Sequence, residues 1–173
     1  MSPGPGVAMG TEVACRRMGI DERGDAAWLL GAFLRGDAHY LASSSAYGDG
    51  GADALQGALA LFLARPELGF AWLAYARNPG AHPAAVGACV VCYAISTSRG
   101  TLVAKLDDVS VDPAWRGRGV GKGMLSALAE ELRHAGVTRI DTACHRDNGP
   151  AWQFYARLGY CPLHEERLSL LLA

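Results

Sequence analysis

The residues best suited to hold a ligand form a stretch of alternating glycine and arginine at positions 116–122 (Arg-Gly-Arg-Gly-Val-Gly-Lys). Because glycine has no Cβ, the backbone can approach a ligand closely, and successive amide N–H groups can point at one anion. A helix that begins at such a loop adds N–H donors and the positive end of its dipole. The guanidinium groups of Arg116 and Arg118 add charge and forked donors. The stretch therefore predicts a site for a phosphate or pyrophosphate group.

Two common nucleotide-binding loops do not fit this spacing. The nucleoside triphosphate loop G-x-x-x-x-G-K-[ST] would require glycine at position 116 and Ser or Thr at position 123, where the chain has Arg116 and Gly123. The dinucleotide loop G-x-G-x-x-G lacks its third glycine whether it is begun at Gly117 or at Gly119. A nucleotidase that binds Mg²⁺ beside such a loop is therefore disfavoured.

A third pattern, R/Q-x-x-G-x-G/A, does fit, and Val-Asp-Pro precedes it at positions 111–113. The stretch resembles the acetyl-coenzyme A loop of the GNAT family of N-acetyltransferases. Residues 148–160 (NGPAWQFYARLGY) also resemble the family's N-x-x-A-x-x-F-Y-x-x-x-G-[FY] segment and meet each of its fixed positions. Two patterns in the family's order favour this resemblance over a glycine-rich turn with two solvated arginines.

The resemblance implies that acetyl-coenzyme A (acetyl-CoA) is the acyl donor. Its pantetheine arm would pair with the backbone of residues 106–111, where an N–H group would also face the thioester oxygen. Tyr155 would lie near the sulfur and donate its phenolic proton to the departing thiolate, and Asn148 would either bond the cofactor or cap its own helix. The residues that the resemblance assigns to acetyl-CoA are Val109, Ser110, Val111, Arg116, Gly117, Arg118, Gly119, Val120, Gly121, Lys122, Asn148 and Tyr155.

The general base is predicted from the strand before the loop. An amine with a pKa of about 10.4 arrives as ammonium at neutral pH and needs a proton acceptor. Some family members carry glutamate four positions before the residue that matches Val111, and this chain has Asp107 there. Others carry the glutamate two residues further upstream, where this chain has Lys105. Asp107 is therefore the predicted base, acting through water because its side chain is short. Strict alternation would place Asp107 on the face of Val109 and Val111 with Asp108 opposite, although a bulge would change that phase. The alternative is that both aspartates are structural.

Other reactive side chains form no convincing site. Cys89 and Cys92 have metal-like spacing, but no second pair follows, and positions three apart on a strand point to opposite faces. Cys144 beside His145 could form an acetyl-enzyme, yet direct transfer between two bound substrates needs no such nucleophile. The other histidines are scattered and are expected to be solvated or structural. No metal site is predicted.

Hydrophobic periodicity predicts the elements that position these residues. The expected strands are 11–18, 69–76, 85–97, 101–111 and 138–143, with a last strand within 161–171. The expected helices are 25–34 with Asp25 as N-cap, 53–64, one from the glycine loop to Gly136, and 149–158 with Asn148 as a candidate N-cap; residues 36–51 are expected to form a loop. This order indicates an α+β protein with a mixed sheet. The resemblance implies the GNAT fold, with about six to seven strands flanked by about four helices.

Composition bounds the remaining possibilities. A chain of 173 residues predicts one domain at 11–173 after a flexible Gly- and Pro-rich leader at 1–10. The net charge of −1 does not favour binding to nucleic acid, which usually requires an excess of basic residues. No apolar stretch is long enough to cross a membrane. Five cysteines, an odd number, favour reduced thiols and a cytoplasmic protein.

The sequence thus predicts an N-acetyltransferase that transfers an acetyl group to a primary amine by direct attack in a ternary complex. The acceptor is expected to be a small-molecule or peptide amine, and family members that dimerise make a homodimer possible. The alternative function is a non-catalytic acyl-CoA-binding sensor on the same fold.

Overall fold

The chain is built around a five-stranded mixed sheet with the strand order β1-β2-β3-β4-β5. A computed structural model describes residues 11–42, 51–77, 83–165, 167–170 and 172. Neighbouring strands are antiparallel except for β4 and β5, which run parallel. The strands are β1 (Val13–Arg17), β2 (Gly69–Ala76), β3 (Ala84–Ser96), β4 (Thr101–Val111) and β5 (Ile140–Thr142).

Helices cover both faces of the sheet. The long helices are α1 (Arg23–Gly36), α3 (Ala52–Ala64), α4 (Val120–His134) and α5 (Gly149–Arg157); a short α2 (Ala38–Ala42) and a 3-10 turn (Pro113–Trp115) complete them. On α4, Met124, Leu125, Leu128 and Leu132 recur at three- and four-residue spacing and are all buried, because that stripe packs against β2, β3 and β4. Helices α1 and α3 pack against the opposite face. The sheet is thus buried between two helical layers.

The sheet has five strands, so the expectation of six to seven was wrong. None of the described residues between 161 and 172 belongs to a strand. Leu168 and Leu170 are 92% and 84% exposed, so their alternating pattern buries no apolar surface that would hold a strand in place. The mixed sheet and its four long helices agree with the predicted fold.

Two local predictions on the first half of the chain were also wrong. The loop expected at 36–51 contains α2, which begins where the Leu41 amide donates to the Asp37 carbonyl over 3.0 Å. Residues 43–50 of that loop and the leader at 1–10 lie outside the described residues. Asp25 is not the cap of α1: Glu22 holds that position, and the Asp25 carboxylate instead accepts a hydrogen bond of 2.7 Å from Tyr75. In the part of the chain described, no helix is long and apolar enough to span a membrane.

Candidate active site

The glycine loop has the backbone geometry that its sequence predicts. Gly117 and Gly119 have φ angles of 73° and 85°, in the left-handed region that favours glycine. Gly119 is the N-cap of α4, and the first turn of that helix contains no acidic side chain. The N-terminus of α4, with its unpaired amide N–H groups, is therefore electrostatically suited to bind an anion.

The two arginines of the loop contact their surroundings in different ways. The Nε atom of Arg116 donates to the carbonyl oxygen of Val111 over 3.1 Å, which ties the loop to the end of β4. The guanidinium of Arg118 lies over the Trp115 ring, 5.2 Å from its centroid. Both side chains are exposed, so each can present positive charge to a ligand bound at the loop.

The two family-like segments touch each other at the start of α4. A Cβ added to Gly121 would lie 3.2 Å from Cζ of Phe154 on α5 and 3.6 Å from Cγ2 of Val111. Such a contact is tighter than packing normally allows, so Gly121 lets the first turn of α4 approach α5 closely. Phe154 packs against the core, as expected from the sequence.

A gap opens between β4 and β5 next to this contact. The two strands pair only over three residues each, 104–106 with 140–142. Beyond Leu106, no strand of the described chain pairs with the β5-facing edge of β4. The Ser110 side chain is buried and its Oγ donates to the Leu29 carbonyl of α1 over 3.4 Å, so only the backbone of Ser110 faces this gap. The gap is an open strand edge that an extended ligand could occupy.

Tyr155 lies where the two strands separate. Its hydroxyl lies near Thr142 on β5, and the Thr142 hydroxyl donates to the Leu106 carbonyl over 2.9 Å. Burial raises the pKa of Tyr155 to about 12, although the nearby Thr142 hydroxyl opposes this shift. The phenol therefore stays protonated at neutral pH and remains a hydrogen-bond donor. No sequence pattern pointed to Thr142.

A bulge in β4 changes the predicted orientation of the two aspartates. Ala88 pairs with Ser110 and Val90 with Asp107, so two residues of β4 face the single Cys89 of β3. Directly paired residues share a face, which places Asp107 on the α1 side of the sheet. Val109 and Val111 pack on the opposite side, against the α4 layer. The prediction from strict alternation, that Asp107 shares a face with Val109 and Val111, was therefore wrong.

The environments of Asp107 and Asp108 differ. Asp107 forms an ion pair with Lys105 over 2.5 Å. Asp108 occupies the bulge with a φ of 52°. Burial raises the pKa of Asp108 to about 6, the charge of Asp107 adds to the rise, and Lys105 and Arg167 oppose it. Asp108 therefore binds a proton more readily than an ordinary aspartate.

The side chains of Asn148 and Cys144 both contact nearby backbone groups. Asn148 accepts a hydrogen bond of 3.2 Å from the Ala151 amide, so of its two predicted roles the structure shows the helix cap. The Cys144 thiol lies 3.7 Å from the His145 carbonyl and 3.9 Å from the Asn148 carbonyl. Burial, and then the charge of Asp37, raise the pKa of Cys144. This thiol is therefore a poor nucleophile near neutral pH.

His39, for which the sequence predicted no role in the site, contacts His145 there. The His39 ring of α2 stacks on the His145 ring, with centroids 4.9 Å apart and planes inclined by 27°. These residues are far apart in sequence and follow no shared periodicity, so no local signal could have predicted the contact. Their stack links the α1–α2 side of the site with the connection between β5 and α5.

These groups line one large cleft of about 2110 Å³. Its walls come from the end of α1, α2, β4, the β5–α5 connection, α5 and the segment after it. Asp107, Asp108 and Tyr155 all line it, whereas the glycine loop does not. Since ordinary small-molecule pockets measure about 300–1,000 Å³, the cleft has room for more than one reactant.

The described residues contain no group of three or more His, Cys, Asp or Glu side chains placed to hold a metal ion. The model of the acetyltransferase (GNAT) family matches residues 39–160, and the chain belongs to this family.

Similar proteins agree with this assignment. Glucosamine 6-phosphate N-acetyltransferase of Trypanosoma brucei brucei is 34% identical over 74 residues, which cover 43% of this chain and 48% of that protein. The chain thus matches about half the length of this curated relative. The crystal structure of a probable acetyltransferase superposes with a TM-score of 0.74 at 17% identity, covering 92% of this chain and 98% of that one. Glucosamine-6-phosphate N-acetyltransferase of Arabidopsis thaliana gives 0.65 at 14% identity, covering 94% and 99%. At these identities the two structures show the shared fold.

Proposed function

We propose that this protein is an N-acetyltransferase that uses acetyl-CoA and transfers the acetyl group to a primary amine by direct attack in a ternary complex. The observation that carries the proposal is the continuity of the site. Residues 107–111 run from the point where Tyr155 meets Thr142 to the glycine loop, with one strand edge open along the way. The glycine loop at one end suits the pyrophosphate of an acyl-CoA, and the Tyr155 end suits its thioester.

The described residues fit acetyl-CoA as the donor. The left-handed glycines and the start of α4 suit its pyrophosphate, and the open edge of residues 107–111 suits the amides of its pantetheine arm. When bound, acetyl-CoA supplies a thioester carbonyl as the electrophile. Gly121, which allows the close contact with Phe154, keeps the loop and α5 together around this ligand.

Tyr155 stabilises the leaving group. A thiol has a pKa of about 8.5, whereas burial raises the pKa of Tyr155 to about 12, so a thiolate is too weak a base to deprotonate this phenol fully. Tyr155 therefore acts as a hydrogen-bond donor to the sulfur while negative charge develops there. The proton that finally resides on the thiol comes from the attacking amine.

A carboxylate at the β4 bulge deprotonates the acceptor. Asp107, which the sequence predicts as the base, and its neighbour Asp108 both line the cleft that Tyr155 enters. An ammonium group is attracted to these carboxylates and loses a proton before it attacks. Cys144 takes no part, because its raised pKa and its contacts with two carbonyls disfavour an acetyl-enzyme.

The acceptor is a small-molecule or peptide amine. The relative named for glucosamine 6-phosphate makes that amino sugar the first compound to test. The cleft lining carries charges of both signs: Asp37 and Asp108 suit an ammonium group, while Lys105 and Arg139, which are paired with Asp107 and Asp141 in this structure, suit a phosphate.

The test is a panel of amines incubated with acetyl-CoA and the protein. The panel holds glucosamine 6-phosphate, glucosamine, spermidine, free amino acids and peptides with a free N-terminus or a lysine. Release of the CoA thiol is followed in time, and acetylated products are identified by mass spectrometry. We expect at least one amine to accelerate thiol release and to gain an acetyl group. Tight binding of CoA with no amine accelerating its release would instead support a binding module.

A further inference from the structure

The bulge in β4 holds an aspartate in a backbone conformation that most residues avoid. Asp108 has a φ of 52°, and among the described non-glycine residues only His164 also has a positive φ. This conformation is strained, although aspartate and asparagine tolerate it better than most residues. The strain separates Asp108 from the regular alternation of β4 and places it beside the strand edge that opens toward β5.

The surroundings of Asp108 are those of a group that exchanges protons. It lines the cleft, is mostly buried, and forms no ion pair or side-chain hydrogen bond with the described part of the chain. The charged groups that act on it are Asp107 and Lys105 of β4 and Arg167 of the C-terminal segment. The thiols of Cys89 and Cys92 on β3 also interact with it electrostatically. Asp107, by contrast, is already held by Lys105.

We propose that Asp108, rather than Asp107, is the catalytic base that accepts the proton of the acceptor ammonium. The inference rests on the proposed acetyl transfer. One N–H bond of R–NH₃⁺ breaks and an O–H bond forms on the Asp108 carboxylate. The amine lone pair then forms the N–C bond to the acetyl carbon, the C–S bond breaks with its electron pair on sulfur, and the second amine proton ends on the thiol.

Two physical reasons favour Asp108 over Asp107. Asp108 forms no ion pair with a described residue, and Lys105 and Arg167 act on it only electrostatically, whereas proton uptake by Asp107 would have to break its ion pair with Lys105. A base is also most effective when its pKa lies near the working pH, and burial raises the pKa of Asp108 to about 6. Asp108 therefore remains ionised at neutral pH and is still a stronger base than an ordinary aspartate.

The matched variants Asp108→Asn and Asp107→Asn test this assignment. Asparagine keeps the shape of the side chain and tolerates the left-handed backbone at position 108. With the amine that the panel identifies, we expect Asp108→Asn to lower kcat about 10²-fold or more, with little change in the KM for acetyl-CoA. Asp107→Asn should lower kcat less than about tenfold. The reverse order of effects would overturn the inference and return the role to Asp107.

The pH dependence of kcat provides a second readout. The wild type should lose activity below about pH 6, the pKa of Asp108. Because the charge of Asp107 raises that pKa, Asp107→Asn should move the loss of activity to lower pH. Because Lys105 lowers it, Lys105→Met should move the loss to higher pH. A profile of Asp107→Asn that does not move, or moves upward, would contradict the assignment.

A third readout requires no acceptor. The folded-state pKa of Asp108 lies above its ordinary value of 3.8, so its ionisation costs stability as the pH rises from about 4 to above 6. Asp108→Asn removes this cost and should raise Tm by about 6–12 °C at pH 8 and by almost nothing at pH 4. A stabilised but nearly inactive variant indicates a catalytic group; a variant destabilised at pH 8 would indicate a structural one.

These outcomes separate the inference from the function on which it rests. If the wild type acetylates no amine although it binds CoA, the proposed function fails. If the wild type is active and Asp108→Asn keeps more than about a third of its kcat, the function stands and the assignment of Asp108 fails. Asp108→Gly, which also suits a positive φ, replaces Asp108→Asn if the latter does not fold.

Discussion

At the scale of single residues, the site depends on hydrogen bonds at the point where β4 and β5 separate. The Tyr155 hydroxyl meets Thr142, which in turn bonds to the Leu106 carbonyl. This chain of contacts fixes the phenol relative to the backbone that leads into the bulge. A group held in this way costs little reorganisation when charge develops on a nearby sulfur.

Removing the Tyr155 hydroxyl should therefore reduce turnover and leave donor binding largely intact. We expect Tyr155→Phe to lower kcat about 10²-fold, with less than a threefold change in the KM for acetyl-CoA, in steady-state thiol release. Tyr160→Phe is the matched control, because the Tyr160 ring lies 5.3 Å from that of Tyr155 and burial also raises its pKa to about 12. Equal losses in both variants would argue for a packing role of Tyr155.

Cys144 allows a test of direct transfer. Burial raises the pKa of its thiol, which keeps it protonated and weakly nucleophilic. We expect Cys144→Ala to keep kcat within about threefold of the wild type, and no acetylated protein to be detected by intact-mass spectrometry after incubation with acetyl-CoA alone. Stoichiometric acetylation that Cys144→Ala abolishes would instead establish an acetyl-enzyme.

At the scale of elements, the start of α4 determines donor affinity. Gly119 at its N-cap and Gly136 just after its C-terminus both have left-handed backbones, with φ of 85° and 78°. Gly119→Ala and Gly136→Ala should therefore cost similar stability, about 1 kcal/mol each. Only Gly119→Ala should raise the KM for acetyl-CoA, by about tenfold or more, while kcat at saturation changes little.

Arg116 extends this prediction to the loop that precedes the helix. Arg116→Ala removes both a positive charge and the bond to the Val111 carbonyl, so it should also raise the KM for acetyl-CoA more than it lowers kcat. A loss of kcat with an unchanged KM in either Arg116→Ala or Gly119→Ala would contradict the placement of the pyrophosphate at this loop.

Sequence patterns predicted those elements whose signals are local. The glycine loop, the stripe of α4 and the cap formed by Asn148 each depend on neighbouring residues, and all three are present. The bulge was harder to predict, because an extra residue on β4 can be recognised only from the pairing of β4 with β3. The contact between His39 and His145 likewise depends on tertiary packing alone. A last strand was expected within 161–171, but an apolar segment is held as a strand only when a core covers one of its faces.

At the scale of the whole molecule, the donor should contact three separate elements of the fold. The glycine loop leads into α4, the bulge lies on β4, and Tyr155 lies on α5. A ligand that contacts all three binds the folded state alone and therefore stabilises it. At about one hundred times its Kd, CoA should contribute about 2.7 kcal/mol and raise Tm by about 5–10 °C.

Pantetheine, which lacks the pyrophosphate, separates the contributions of the two ends. It should raise Tm far less than CoA at equal concentration, and Gly119→Ala should reduce the shift with CoA while hardly changing the shift with pantetheine. Differential scanning fluorimetry measures all four values. Equal shifts with CoA and pantetheine would show that the glycine loop does not bind the phosphates.

A crystal structure with acetyl-CoA tests the central claim most directly. The account predicts that pyrophosphate oxygens accept hydrogen bonds from backbone amides of residues 117–121, and that the pantetheine arm lies along residues 107–111. The sulfur should lie within hydrogen-bonding reach of the Tyr155 hydroxyl. An ordered acetyl-CoA whose phosphates are bound elsewhere, or whose thioester faces away from Tyr155 and the β4 bulge, would contradict the account.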